Sequence, residues 1–385
     1  MKEKFNSKLK YVCSSFSSNI STELLVDDES KYKVFGASGL LGYYQFKTMS
    51  SEYLGIVKDG AGVGRINQYP KDSSLLGTLA YIIPNKGIDL IWLKYCISSL
   101  NLGESLDKTT IPHIYFSEYG NRDIYLPTCE EQKKIANYLE KKCTAINEIL
   151  DDILTEIKSL EKYKSSLITE IVTRGINVNV ELVETNMEWI KKIPSHWIIS
   201  RIASVYRLRN TKVSDNDYPP LSVTMKGVVP QLESAAKSDA HDDRKLVCKG
   251  DFAINSRSDR RGSCGISPMD GSISLINTVL CPLQNMSPRY YNWLFHTVEF
   301  ADEFYKWGHG IVDDLWTTGW QEMKNILIPQ PPLDEQEEIA DYLDKKCAEI
   351  DSIINDKKAQ LETLEEYKKS LIYEYVTGKK EVPNE

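Results

Sequence analysis

No stretch of the 385-residue chain approaches the roughly 18 consecutive apolar residues that a membrane-spanning helix needs. The opening Met1-Lys-Glu-Lys-Phe5 lacks the apolar core of a secretory signal, so a cytoplasmic location is expected. The 8 cysteines include no Cys-x-x-Cys pair and no Cys/His cluster at metal spacing, which disfavours a disulfide framework and a zinc site. Walker A, His-Glu-x-x-His and Gly-x-Ser-x-Gly patterns are missing, and the 5 histidines, at 113, 196, 241, 296 and 309, are scattered. Asp217-Tyr-Pro-Pro220 has the letters of an adenine-methyltransferase motif in the wrong order and reads as a turn. These absences give no reason to place a catalytic centre, cofactor or metal in this chain.

An excess of positive charge is also lacking. The formal net charge is −8, from 47 Lys and Arg against 55 Asp and Glu, which weighs against a nucleic-acid binder. Its distribution reverses that reading. Residues 128–175 carry −1 and residues 332–378 carry −7, so the rest of the chain is neutral. Residues 201–261 hold 12 Lys and Arg against 8 Asp and Glu, enough for a positive face. A hydrophobic content of 41%, with 22 Tyr and 7 Trp, supplies more than one core.

What the chain does contain is a duplication. The stretch from Ile124 to Thr173 recurs without gaps from Ile328 to Thr377, 204 residues later, with about half the positions identical. Tyr138/Tyr342, Cys143/Cys347, Tyr163/Tyr367, Ser166/Ser370 and Glu170/Glu374 are among the identities. Upstream, looser matches set Asp59-Gly-Ala-Gly62 against Asp259-Arg-Arg-Gly262, Thr78 against Thr278, and Trp92 against Trp293. The order is domain, helix, domain, helix.

The repeated stretches have heptad spacing. Ile146, Leu150, Ile153, Ile157, Leu160, Leu167 and Ile171 follow a 4-3-4-3 pattern that slips at Lys164, where Tyr163 is adjacent. Ile350, Ile354, Lys357, Leu361, Leu364, Leu371 and Tyr375 repeat it, with the slip at Lys368 beside Tyr367. Such a period predicts a coiled coil, and two equal seams in one chain suit each other as partners. Thr128-x-x-Glu131 offers a capping box, while Gly175 and Gly378 are suited to end the helices. At ~1.5 Å per residue, each helix would be a rod of roughly 65 Å.

Short apolar runs such as Tyr53-Leu-Gly-Ile-Val, Leu79-Ala-Tyr-Ile-Ile, Leu221-Ser-Val-Thr and Phe252-Ala-Ile-Asn predict strands, and residues 90–100 and 290–305 predict helices. The fold class expected is α+β, with two globular domains separated by two long antiparallel coiled-coil helices. The boundaries expected are 1–127, 128–176, 177–330, 331–378 and a tail at 379–385.

Two loops stand out. Gly60-Ala-Gly62-Val-Gly64-Arg65 has the wrong spacing for a dinucleotide loop, and Ile66-Asn-Gln-Tyr-Pro70 follows instead of a helix. It is either a tight turn between strands or a glycine loop approaching a phosphate beside Lys58 and Arg65. Ser256-Arg257-Ser258-Asp259-Arg260-Arg261-Gly262 is either a solvated charged loop or one that meets phosphates and guanines. The candidates for nucleic-acid contact are therefore Lys58, Arg65, Asn67, Thr224, Lys226, Ser256, Arg257, Arg260, Arg261 and His309. The seam residues above, with Tyr163 and Tyr367, are the candidates for helix pairing and subunit docking.

The chain resembles the specificity subunit of type I restriction–modification systems. The resemblance rests on the Pro-x-x-x-Glu-Gln motif opening each long helix, at Pro127 and Pro331, and on Lys-Ser-Ser-Leu-Ile-Thr-Glu from Lys164, echoed from Lys368. Met187-Glu-Trp-Ile-Lys-Lys-Ile-Pro-Ser-His-Trp197 is similar to that family's lead-in to a target-recognition domain. The resemblance implies a non-catalytic chain whose two domains read two half-sites on double-stranded DNA. It further implies two methyltransferase subunits carrying S-adenosylmethionine, restriction/translocase subunits using ATP and Mg, and no membrane partner. A specificity module of a methyltransferase-only system and a coiled-coil protein scaffold are the alternatives.

Overall fold

The computed structural model describes residues 5–60, 62–103, 112–232, 242–257, 260–310 and 316–383. Ala61, His241, Ser258 and Asp259, all within segments singled out above, lie outside these residues. Seven helices are described: α1 (Leu90–Ser98), α2 (Phe116–Tyr119), α3 (Cys129–Arg174), α4 (Pro288–Phe295), α5 (Val298–Lys306), α6 (Trp320–Met323) and α7 (Leu333–Val376). The chain divides into two compact units, Met1–Thr155 with Lys357–Glu385, and Glu156–Asp356. Each unit thus takes one part of α3 and one part of α7.

In the first unit a four-stranded antiparallel sheet runs in the order Cys13–Ser17, Leu79–Pro84, Tyr53–Val57, Ile66–Tyr69. Tyr53–Val57 is buried on both faces, and its alternation divides two cores. Leu54 and Ile56 face α1 and the long helices, whereas Tyr53 and Val57 face a second cluster with Leu75 and Tyr81. In the second unit the order is Tyr206–Arg209, Asn277–Pro282, Phe252–Asn255, Cys264–Ile266, again wholly antiparallel. Phe252 and Ile254 face the helix side there, and Ala253 the other. The predicted strands are present. The helix expected over 290–305 is two helices, because Thr297 caps a new start by accepting from Phe300 N–H at 3.2 Å.

The long helices form for reasons the repeated motif makes explicit. Thr128 N–H donates to Glu131 Oε2 at 2.9 Å and Glu131 N–H returns to Thr128 Oγ1 at 3.3 Å, closing the capping box. Gln132, 2% exposed, accepts from the N–H of Asp89, the cap of α1, and donates to Pro127 O. Gln336, 1% exposed, does the same with Ser287, the cap of α4, and Pro331 O. The Gln of the motif therefore ties each long helix to a short helix of its own unit. Gly175 and Gly378 follow the helix ends with φ of +76° and +69°, which only glycine adopts without strain.

Within each unit the parts of α3 and α7 run antiparallel. In the first, Leu139, Cys143 and Ile146 share a core with Leu371, Ile372, Tyr375 and Val376. In the second, Ile171 and Val172 share one with Ile339 and Leu343. Lys368 Nζ donates to Asn147 Oδ1 at 2.6 Å, and Lys164 Nζ to Asp351 at 2.6 Å, which is the same contact made twice at positions 204 residues apart. Ile153, Ile157, Ile350 and Ile354 are buried, and Leu150, Leu160, Leu167, Leu361 and Leu364 half-buried. The seam requires one correction. Tyr163 and Tyr367 are 56% and 55% exposed, because the heptad continues through Lys164 and Lys368. Those lysines lay their stems along the seam and hand the ammonium to a polar partner.

Candidate nucleic-acid interface

Both loops singled out in the sequence connect the same two strands of the four-stranded sheet. Loop 58–64 joins Tyr53–Val57 to Ile66–Tyr69, and loop 256–262 joins Phe252–Asn255 to Cys264–Ile266. Several of their backbone bonds correspond. Val57 N–H donates to Arg65 O, and Asn255 N–H to Ser263 O; Lys58 N–H donates to Thr78 O, and Ser256 N–H to Ile276 O. Ile114 N–H donates to Lys58 O, and Thr318 N–H to Ser256 O. Gly64 and Gly262 close the loops with φ of +84° and +73°.

These bonds correct the register of the upstream match. Gly64, rather than Gly62, is the counterpart of Gly262, Asp59 that of Arg257, and Thr78 that of Ile276. The short helices follow: Asp89 and Ser287 cap α1 and α4, so Trp92 corresponds to Tyr290 rather than to Trp293. Trp92 and Tyr290 are both fully buried, whereas Trp293 is half-buried and donates to Asp344.

The first loop is internally neutralised. Lys58 Nζ lies 2.6 Å from Asp59 Oδ2, and His113 Nδ1 lies against the other oxygen of the same carboxylate. Asp59 and His113 are also joined by a backbone bridge. Arg65 is exposed and folds back over Gly62, where an added Cβ would strike its guanidinium. Asn67 is half-buried, bonded to Tyr69, and its environment is tied to the sheet. Loop 58–64 is a turn between two strands of the sheet, with Lys58 and Arg65 both on it or at its end.

The second loop gathers more of the candidates. Arg257, Arg260 and Arg261 are exposed. Arg257 and His309 both form backbone bridges to Thr317, which brings segment 307–310 beside the loop. Ser256 Oγ lies 3.1 Å from Thr278 Oγ1. Thr224 and Lys226 sit in the turn between Leu221–Thr224 and Gly227–Pro230, and that turn abuts the following strand at Gly265, whose added Cβ would lie 2.6 Å from Gly227 Cα. Arg261 contacts Asp302 and stands 4.7 Å from the centre of the Tyr305 ring, both on α5. Asn255, Ser256, Arg257 and Arg261 line a shallow cleft together with Phe295, Phe300, Phe304 and Trp316. Asp302 and Tyr305 were invisible to sequence reasoning, because nothing in spacing connects them to a loop 41 residues upstream.

Much of the basic excess over 201–261 is used internally. Arg209 grips the buried carboxylate of Asp251, a hydrogen bond that raises the guanidinium pKa. Arg244 donates to Ser272, and Lys245 to the carbonyls of Leu275 and Asn277; burial lowers the pKa of both cations. Lys212 pairs with Asp243. Among the described residues the cations left exposed include those of the loop, the adjoining turn at Lys226, Arg201, Arg207 and Lys249.

Among the described residues, no group of three or more His, Cys, Asp or Glu side chains is arranged to hold a metal ion, and no helix is long and apolar enough to cross a membrane. A family model described as the type I restriction modification DNA specificity domain matches residues 1–159 and 284–363. The chain is 26% identical over 323 residues to the MjaVIII type I restriction enzyme specificity subunit of Methanocaldococcus jannaschii, covering 78% of this chain and 72% of that protein. It is 26% identical over 140 residues to the EcoprrI specificity subunit of Escherichia coli, covering 36% of this chain and 34% of that one. The chain thus spans about a third of the Escherichia coli relative that it matches. A solved chain, reported as part of the structural basis of complex assembly and conformational transition of the type I R-M system, shares the fold over 96% of this chain and 99% of its own, with a TM-score of 0.68 and 14% identity.

Proposed function

The chain belongs to the type I restriction–modification DNA specificity family, and from that premise we propose that its two units read two half-sites of one interrupted DNA sequence. The observation that carries this reading is the pair of loops. One backbone frame is built twice, held by several matching bonds, and fitted with different side chains at 58/256, 59/257 and 63/261. A fold that must present two different recognition surfaces at matched places has that form.

Arg257, Arg260 and the turn at Lys226 supply cations for phosphates, which set register on the duplex without reading sequence. Base edges are then left to side chains held at fixed geometry. At the first loop Arg65 is an exposed cation, with Lys58 tempered by Asp59. The helix pair holds the half-sites apart, and a rod of roughly 65 Å suits half-sites one to two helical turns apart at ~34 Å per turn.

Tyr163 and Tyr367 are equivalent, equally exposed and not part of the seam. Two identical exposed positions suit two copies of one partner, the methyltransferase subunits, with restriction/translocase subunits joining them. Methyl transfer from S-adenosylmethionine, ATP hydrolysis with Mg and cleavage then reside in those partners. The test is methylation of random DNA by the chain together with its modification subunits. An interrupted, two-part methylated motif, and no methyl transfer by the chain alone, is expected. A complex that methylates without a two-part motif, or a chain that methylates unaided, contradicts the reading.

A further inference from the structure

Arg261 of the second loop is held by two side chains of α5. Asp302 and Tyr305 lie one turn apart on one face of α5. The Asp302 carboxylate takes Nη2 of Arg261, and the Tyr305 ring lies 4.7 Å from the guanidinium carbon. The helix beneath is itself fixed: Thr297 caps it, and Phe300, fully buried, stacks on Phe295 at 4.3 Å. One edge contact and one face contact hold a side chain that is otherwise among the most flexible. A guanidinium carries five N–H donors, so one bond to Asp302 leaves enough for a two-bond contact.

We propose that Arg261 reads a guanine in the half-site of the second unit, with Asp302 and Tyr305 as positioning residues. The assignment rests on the DNA-reading function proposed above. A phosphate contact needs charge and tolerates mobility. Here the Asp302 carboxylate offsets the charge and the Tyr305 ring restricts the side chain, which suits directional donors instead. Arginine donating to O6 and N7 of guanine is the two-bond contact that a fixed guanidinium makes. Arg257, whose side chain has no ion-pair partner among the described residues, is the better phosphate ligand. In the first unit the position matching Arg261 is Val63, so that position carries no equivalent arginine. The Arg261–Asp302 pair is exposed, at 47% and 63%, so it contributes little to stability and its loss separates positioning from folding.

The experiment is methylation-motif sequencing in cells carrying the full chain with its modification subunits, paired with binding of the full chain to the matched duplex over a salt series. Arg261→Gln is expected to make one guanine position degenerate, with discrimination falling roughly 5- to 150-fold. Asp302→Asn should relax the same position several-fold with unchanged salt slope, Asp302→Glu should restore it, and the other half-site should stay intact in all three. An Arg261→Gln variant that weakens all sequences equally, with a salt slope lower by about one, makes Arg261 a phosphate ligand and overturns the assignment. An unchanged motif overturns it too. Loss of discrimination in Arg261→Gln but not in Asp302→Asn overturns the role of Asp302. A wild-type chain that yields no two-part motif overturns the parent function and this assignment together.

Discussion

Loops 58–64 and 256–262 leave the same pair of strands, return through several matching backbone bonds and end on a glycine of positive φ, yet their chemistry is opposed. Where the first unit places Asp59, held between Lys58 and His113, the second places Arg257 in the open. Where the first has Val63, the second has Arg261 braced by α5. The long helices show the reverse: motif, caps, buried Gln and seam contacts are all kept. The difference separates two demands on one duplicated chain. Helices that meet matching neighbours in both units stay alike, and the loops diverge in side chains while much of the backbone that carries them stays the same.

That comparison breaks most visibly in the cores. Leu139 and Leu343 occupy matched positions in the two units and are both fully buried. Leu139→Ala and Leu343→Ala should each cost about 2–5 kcal/mol in urea unfolding. Equal frames predict similar values, so one variant near neutral beside a large loss in the other would end the claim of equivalence.

The loops should respond unequally. Replacing Arg257 with Ala should lower the salt slope of DNA binding by about one, whereas Lys58→Ala should change it by less, since its ammonium is 2.6 Å from Asp59. Equal slopes would mean that the acid does not temper the first loop.

The smallest effect lies in the seam. Lys164 meets the carboxylate of Asp351, and Lys368 the neutral amide of Asn147. A double-mutant cycle on the first pair should give roughly 0.2–1 kcal/mol that declines with salt. The second pair should show no salt dependence, and a matching decline there would show that the pairs are not distinguished by charge.

The helices were legible because their constraints are local and periodic. A gapless repeat, a capping box at Thr128 and terminal glycines at 175 and 378 place both to within about two residues. The exposed tyrosines were misassigned for a physical reason: apolarity favoured Tyr163 and Tyr367, while the period selected the adjacent lysines, whose stems serve as well as a ring. The loops were found but misregistered. Matching letters paired Gly62 with Gly262, but the backbone needs glycine where φ is positive, at Gly64 and Gly262. The offset between the units also changes from 198 at the loops to 204 at the long helices, and the added residues fall around α5. The brace on Arg261 was unreadable because it joins distant segments through a side-chain contact that leaves no pattern.

The central claim is that two loops on one frame read two different half-sites. Its most direct test is methylation-motif sequencing with the wild-type chain and with the Arg257→Ala, Arg260→Ala, Arg261→Ala triple variant, each beside its modification subunits. The account predicts a two-part motif for the wild type and, for the variant, degeneracy confined to one part with the other part and the gap unchanged. A variant whose motif is intact, or one that loses both parts together, would contradict it.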